Sequence, residues 1–86
     1  MPGMITRIEL QEYRRTTDHH RRSPEAQAFR RRLEEALAAL PPTERQVIFM
    51  HYCLRLGWVA VALRLNYSES QVKRIHKKAC KLLAES

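Results

Sequence analysis

Five cations, Lys73, Arg74, Lys77, Lys78 and Lys81, crowd one short stretch of the chain with no acid among them. Spacings of three and four put Lys73, Arg74, Lys77 and Lys81 on one face of a helix. Such a face holds anions. Nucleic-acid phosphates come first, an anionic membrane surface competes, and a merely solvated face is the plain alternative. Just ahead, Ser68 and Gln71 have the spacing of a capping box, a helix start signal. Val72, Ile75, Ala79, Leu82 and Leu83 then recur at threes and fours, giving the same helix an apolar stripe. The final helix is therefore apolar on one side and cationic on the other.

Catalytic chemistry finds little to work with. His19 and His20 are adjacent in a polar stretch, and no Cys, Asp or Glu cluster completes a metal site around them. His51 and Cys53 stand two apart and point in different directions on a helix. His76 and Cys80 are four apart, with Cys80 read as core and His76 as surface. His51 lies among apolar neighbours without a nucleophile or carboxylate partner, the setting of a hydrogen-bonded structural histidine. Cys53 and Cys80 show no ligand spacing and read as free, buried thiols. There is no phosphate-cradling glycine loop and no pair of carboxylates, so the reading is a non-enzyme with no metal and no cofactor.

The elements that must position the cationic face are all helical. Residues 4–15 form a short amphipathic helix through Ile5, Ile8 and Tyr13, too short to stand alone. Residues 16–22 are polar and read as a linker. Ser23, Pro24 and Glu25 then open a helix in the order that favours its start. Phe29, Leu33, Ala36, Leu37 and Leu40 give it one stripe, and Pro41-Pro42 stops it. Thr43, with Gln46 three residues on, caps the next helix, whose buried stripe includes Val47, Ile48, His51, Tyr52 and Leu54. Gly57 marks its end as a residue tolerant of the left-handed conformation. A short apolar helix, Trp58 to Leu65, and a turn at Asn66-Tyr67 lead to the Ser68 cap. The fold class is all-α, with residues 1–22 as an N-terminal arm, short helix and linker, and residues 23–86 as the domain.

Composition agrees with one small core. The chain has 86 residues, 44% of them apolar, and a net charge of +7. Residues 66–86 hold five basic residues against two acids, whereas residues 33–65 hold three of each. The charge is therefore concentrated, and that points to an anionic partner more strongly than a basic average does. No apolar run approaches the roughly 18 residues of a membrane span. Residues 1–13 lack an apolar signal core. The expectation is a cytoplasmic protein with no membrane partner.

A short helix, a three-residue turn and a capped longer helix with a basic face together describe a helix-turn-helix. The first helix braces the second so that its N-terminal turns enter the major groove of duplex DNA. Residues after the cap then meet base edges while the cations meet phosphates. A membrane-surface helix fits less well, because the stripe is narrow, lacks aromatics and has a bracing helix to cover it.

The stretch Leu33–Leu83 resembles region 4 of bacterial sigma factors. LEEALAALPPTERQVI matches the family's helix ending in Leu-Pro before a Thr-Glu-Arg helix. LRLNYSESQVKRIHKKACKLL matches its closing pattern, with Leu65, Ser68, Val72, Lys73, Ile75, Lys78, Ala79 and Leu83 in register. Gly57-Trp58 and Tyr67-Ser68 look most like short phage regulators of the ArpU/RinA type. The resemblance implies that the last helix reads promoter DNA, with Glu69, Ser70, Gln71, Lys73 and Arg74 facing it and Lys77 and Lys81 close to phosphates. Ser68 caps and can also bond phosphate. Gln71 suits adenine and Arg74 suits guanine.

Two positions depart from the family. Ala60 stands where a Glu is usual, and Leu63 stands at a polar position, where packing against the N-terminal segment is the expectation. A complete sigma factor also needs a promoter-melting domain, for which these residues leave no room. The function expected is a sequence-specific, duplex DNA-binding transcriptional regulator, helped by RNA polymerase or by a second copy in a homodimer. The alternative is an adaptor that docks on RNA polymerase or another regulator without reading DNA. Arg30 to Arg32 and the arm at 14–22 are expected to add phosphate contacts.

Overall fold

A computed structural model describes residues 4–85. Five α-helices follow in order: α1 (Arg7–Arg15), α2 (Pro24–Ala38), α3 (Pro42–Ile48), α4 (Trp58–Leu65) and α5 (Glu69–Glu85). A 3-10 turn at His20–Arg22 precedes α2, and α3 runs on into a π-helical segment, Phe49–Cys53. No strand occurs among the described residues. The fold is all-α.

Local chemistry sets most boundaries. Thr6 and Glu9 form a reciprocal capping box at α1, and Ser23 accepts from the Ala26 amide ahead of α2, with Pro24 in the first turn. At α3 the outcome differs from the expected Thr43 cap. Pro41 takes the cap position and Pro42 the first turn, with no side-chain cap. Proline fits there because its missing N–H belongs to the turn that has no intrahelical acceptor. Gly57 also differs: it precedes α4 in an extended conformation, φ −70°. The left-handed residues are Arg55 and Asn66, each at φ 59°. At Asn66 the Tyr67 amide donates back to the Ala62 carbonyl at 3.0 Å, closing α4 with the bond pattern of a Schellman turn.

The core falls into two clusters joined by α5. One gathers Val47, Val61, Ala62 and Val72, with Trp58, Leu65 and Ile75 against them, and so holds α3, α4 and the first half of α5 together. The other gathers Leu10, Tyr13, Leu33, Leu37, Ile48, Tyr52, Ala79 and Leu83. α1 is thus built into the core. Ile5 is buried and its amide donates to the Leu83 carbonyl at 3.2 Å. The buried face of α1 runs through Leu10 and Tyr13, while Ile8 is 69% exposed, contrary to the stripe expected through Ile8.

The π segment explains another displaced expectation. Its wider turn places three consecutive residues, His51, Tyr52 and Cys53, in the interior and leaves Leu54 outside. A widened turn frees carbonyls, and arginines from outside α3 satisfy them. Arg14 Nε donates to the His51 carbonyl at 2.9 Å, and Arg21 donates to Cys53 at 2.9 Å and Tyr52 at 3.0 Å. The segment read as a linker therefore carries a structural residue, Arg21.

Candidate nucleic-acid interface

The start of α5 is held by the box that the sequence implies. The Gln71 amide donates to Ser68 Oγ at 3.1 Å, and the Ser68 amide donates to Gln71 Oε1 at 2.9 Å. Both bonds fix the first turn of α5 directly after the tight Asn66-Tyr67 turn. Val72 is fully buried beneath it, against Val61 and Val47. α4 therefore braces α5 from behind and leaves its opposite side in solvent.

Ser68, Glu69, Ser70, Gln71, Lys73, Arg74, Lys77 and Lys81 are all exposed. They differ in what already engages them. Lys73 lies 3.8 Å from Glu69, one turn back, and Lys78 lies 3.7 Å from Glu44 of α3. Arg74, Lys77 and Lys81 have no acidic partner among the described residues. With steps of three and four they form a row of free cations. Gln71 commits its carbonyl oxygen to the box, so only its amide nitrogen remains to donate to a base or phosphate; pairing with both edges of adenine requires opening the box.

Behind the face lies a buried polar cluster, one member of which, His76, the sequence reading places on the surface. His76 is 5% exposed, not on the surface. Its Nε2 shares a hydrogen bond of 2.5 Å with the Tyr52 hydroxyl and lies 3.4 Å from Cys80 Sγ. Burial, the Arg7 charge and His51 lower the His76 pKa to about 4. His51 stacks on Trp58 with ring centres 3.8 Å apart, and its Nδ1 donates to the Leu56 carbonyl at 2.8 Å. Burial lowers its pKa as well. Tyr52 is pushed up to about 12 by burial and by Cys80. Burial likewise raises both free thiols, Cys53 and Cys80. A neutral thiol beside a neutral imidazole in the interior is packing, since the thiolate is the nucleophile. The sequence signal for the contact was the i,i+4 spacing of His76 and Cys80.

Several arginines expected at phosphates are engaged by other groups of the protein. Arg14 and Arg21 cap the π segment as described. Arg30 pairs with Glu34 at 2.7 Å and donates to the Tyr13 hydroxyl, and Arg32 pairs with Glu9 at 3.1 Å and donates to the Met4 carbonyl. Leu63 also departs from expectation. It is 77% exposed, unpacked by the N-terminal segment, and continues an outward row with Val59 and Tyr67.

A capped, cationic helix braced by a short helix across a three-residue turn defines a helix-turn-helix protein. Residues 30–83 match the family described as Sigma-70, region 4, and the chain belongs to that family. It is similar to the RNA polymerase sigma factor FliA of Escherichia coli K12 and to the proteins of that name from strains O6:H1 and O157:H7. Each is 33% identical over 72 residues, covering 79% of this chain and 30% of the relative. The chain therefore spans under a third of the length of these relatives. No solved structure matches it. The family and the relatives support a DNA-binding helix-turn-helix that acts in transcription. Among the described residues, no helix is long and apolar enough to cross a membrane.

Proposed function

We propose that the protein is a sequence-specific regulator of transcription that inserts α5 into the major groove of duplex DNA. The observation that carries this reading is the row of exposed, unpaired cations Arg74, Lys77 and Lys81 on a helix whose first turn is capped and braced. Arg74, one turn into α5, has the reach and the fork of donors for guanine. Ser70 and Glu69 flank it at the leading end, and Lys73 serves a base or a phosphate once released from Glu69. Lys77 and Lys81 take phosphates. The reaction is binding alone and needs no metal or cofactor. A single helix-turn-helix of this size binds DNA modestly, so RNA polymerase or a second copy of the chain supplies the remaining affinity.

Fluorescence anisotropy on a labelled pool of random duplexes tests the first step. The wild type binds, and Lys73→Ala plus Arg74→Ala together weaken binding at least tenfold at low salt. Equal binding by both proteins overturns the role of α5. A second reading, an adaptor that docks on polymerase without reading DNA, draws on the outward apolar row Val59, Leu63 and Tyr67. Adaptor binding survives the double alanine and fails with Leu63→Glu, whereas DNA binding follows the opposite pattern.

A further inference from the structure

α1 lies outside the stretch matched by the family, yet its charges are sorted. At about 100° per residue, Arg7, Arg14 and Arg15 fall on one side, and Glu9 and Glu12 on the other. The basic side opens onto a cleft of about 270 Å³ that also receives Trp58 at the start of α4 and His76 of α5. No acid lines this cleft. Arg14 is spent on the His51 and Arg55 carbonyls. Arg7 and Arg15 remain exposed and form no ion pair among the described residues.

The cleft sits beside the cationic face of α5. His76, its α5 wall, is three residues past Lys73, so Lys73 shares the side of α5 that faces the cleft, with Lys77 further round toward solvent. Arg7 is close enough to His76 and Cys80 for its charge to act on both, and its side chain hydrogen-bonds the Cys80 thiol. Positive charge therefore flanks the cleft on both elements, with Arg7 and Arg15 on α1 and Lys73 on the near side of α5. Those two arginines are separated by eight residues, a rise of about 12 Å, against about 3.4 Å per nucleotide along one strand.

We propose that α1 is a second DNA-binding element, in which Arg7 and Arg15 hold phosphates of the strand flanking the groove that α5 enters. This rests on the proposed reading of α5 and extends its footprint to one side. The occupant is the duplex backbone, because the cleft is lined by three arginines and no acid, and one of its walls is the helix that carries the cationic face.

The test is the salt dependence of binding by the full chain to long random duplexes. Three proteins are compared: wild type, Arg7→Ala plus Arg15→Ala, and Arg45→Ala plus Arg64→Ala. The last pair removes the same charge from exposed residues outside the cleft. Circular dichroism checks that each keeps its helices. Arg7→Ala plus Arg15→Ala is expected to weaken binding to all sequences alike and to reduce the slope of log K against log salt by about 1.8, the counterion release of two phosphates. The control pair is expected to keep the wild-type slope. An unchanged slope in the Arg7/Arg15 pair, with the wild type still binding, overturns the role of α1 and leaves that of α5 standing. Equal losses in both pairs reduce the effect to overall charge and overturn it too. Failure of the wild type to bind any duplex defeats the α5 reading, and the α1 proposal with it.

Discussion

Acid should weaken this domain through His76. In the folded chain the imidazole titrates at about 4, because burial, Arg7 and His51 oppose its charge. In the unfolded chain it titrates near the ordinary 6.5. Above pH 6.5 both states hold it neutral and it contributes nothing to pH dependence. As pH falls below 6.5 the unfolded chain takes up a proton that the folded chain refuses, and stability drops until about pH 4. Each unit is worth about 1.4 kcal/mol, so the full loss is about 3 kcal/mol. A chain of this size holds roughly 4–13 kcal/mol in total, and at about 4–8 °C per kcal/mol the melting temperature falls by roughly 12–24 °C. The side chain is 5% exposed, so solvent screening does little to reduce the effect. The assay is urea unfolding at steps from pH 7 to pH 4 for wild type and His76→Gln. The variant can still meet the Tyr52 hydroxyl but carries no titrating ring. Every other group, His51 included, is common to both proteins and cancels in the difference. The variant is expected to be less stable at pH 7, with the gap narrowing by about 3 kcal/mol toward pH 4. Parallel curves would refute the buried, neutral His76.

Other perturbations test separate joints of the structure. Val72→Asp places a carboxylate where the side chain is fully buried and should unfold the domain at 25 °C, read as loss of helical circular dichroism. Arg21→Met keeps much of the stem but strands the Tyr52, Cys53 and Tyr13 carbonyls; a loss of about 2–4 kcal/mol in urea is expected. Asn66 sits at φ 59°, so Asn66→Gly should melt at or above the wild-type temperature while Asn66→Val loses about 1–2 kcal/mol. Equal melting of the two would remove the left-handed cap.

What the sequence displays and what it hides follow from how local each signal is. The Ser68–Gln71 box, the span of α4 and the stripe through Val72 and Ala79 are written in residues within one or two turns of each other, and the structure keeps them. The π segment is different. It depends on Arg14 and Arg21, more than thirty positions away, to satisfy the carbonyls it frees. A regular stripe through Leu54 was therefore the natural reading and missed the shift that turns Leu54 out to solvent. His76 is hidden for a similar reason: on its own helix it borders the cationic face, and only the docking of α1 and Tyr52 covers it. Gly57 misled because a glycine after an apolar run suits a left-handed end, whereas Arg55 carries that conformation two residues earlier. For the interface, residue types and exposure were legible. The bond from Arg30 to the Tyr13 hydroxyl and those from Arg32 to Glu9 and the Met4 carbonyl needed the three-dimensional neighbours.

The central claim, that the exposed row of α5 reads base sequence, is tested most directly by selection from random duplex DNA with sequencing, run at two salt concentrations. Wild type, Arg74→Ala and Lys77→Ala would be compared. The expected result is a recovered motif in the wild type, relaxation at one position with a cost of about 1–3 kcal/mol in Arg74→Ala, and an unchanged motif with weaker, less salt-sensitive binding in Lys77→Ala. Binding that yields no motif at either salt, or a motif indifferent to Arg74, would contradict it.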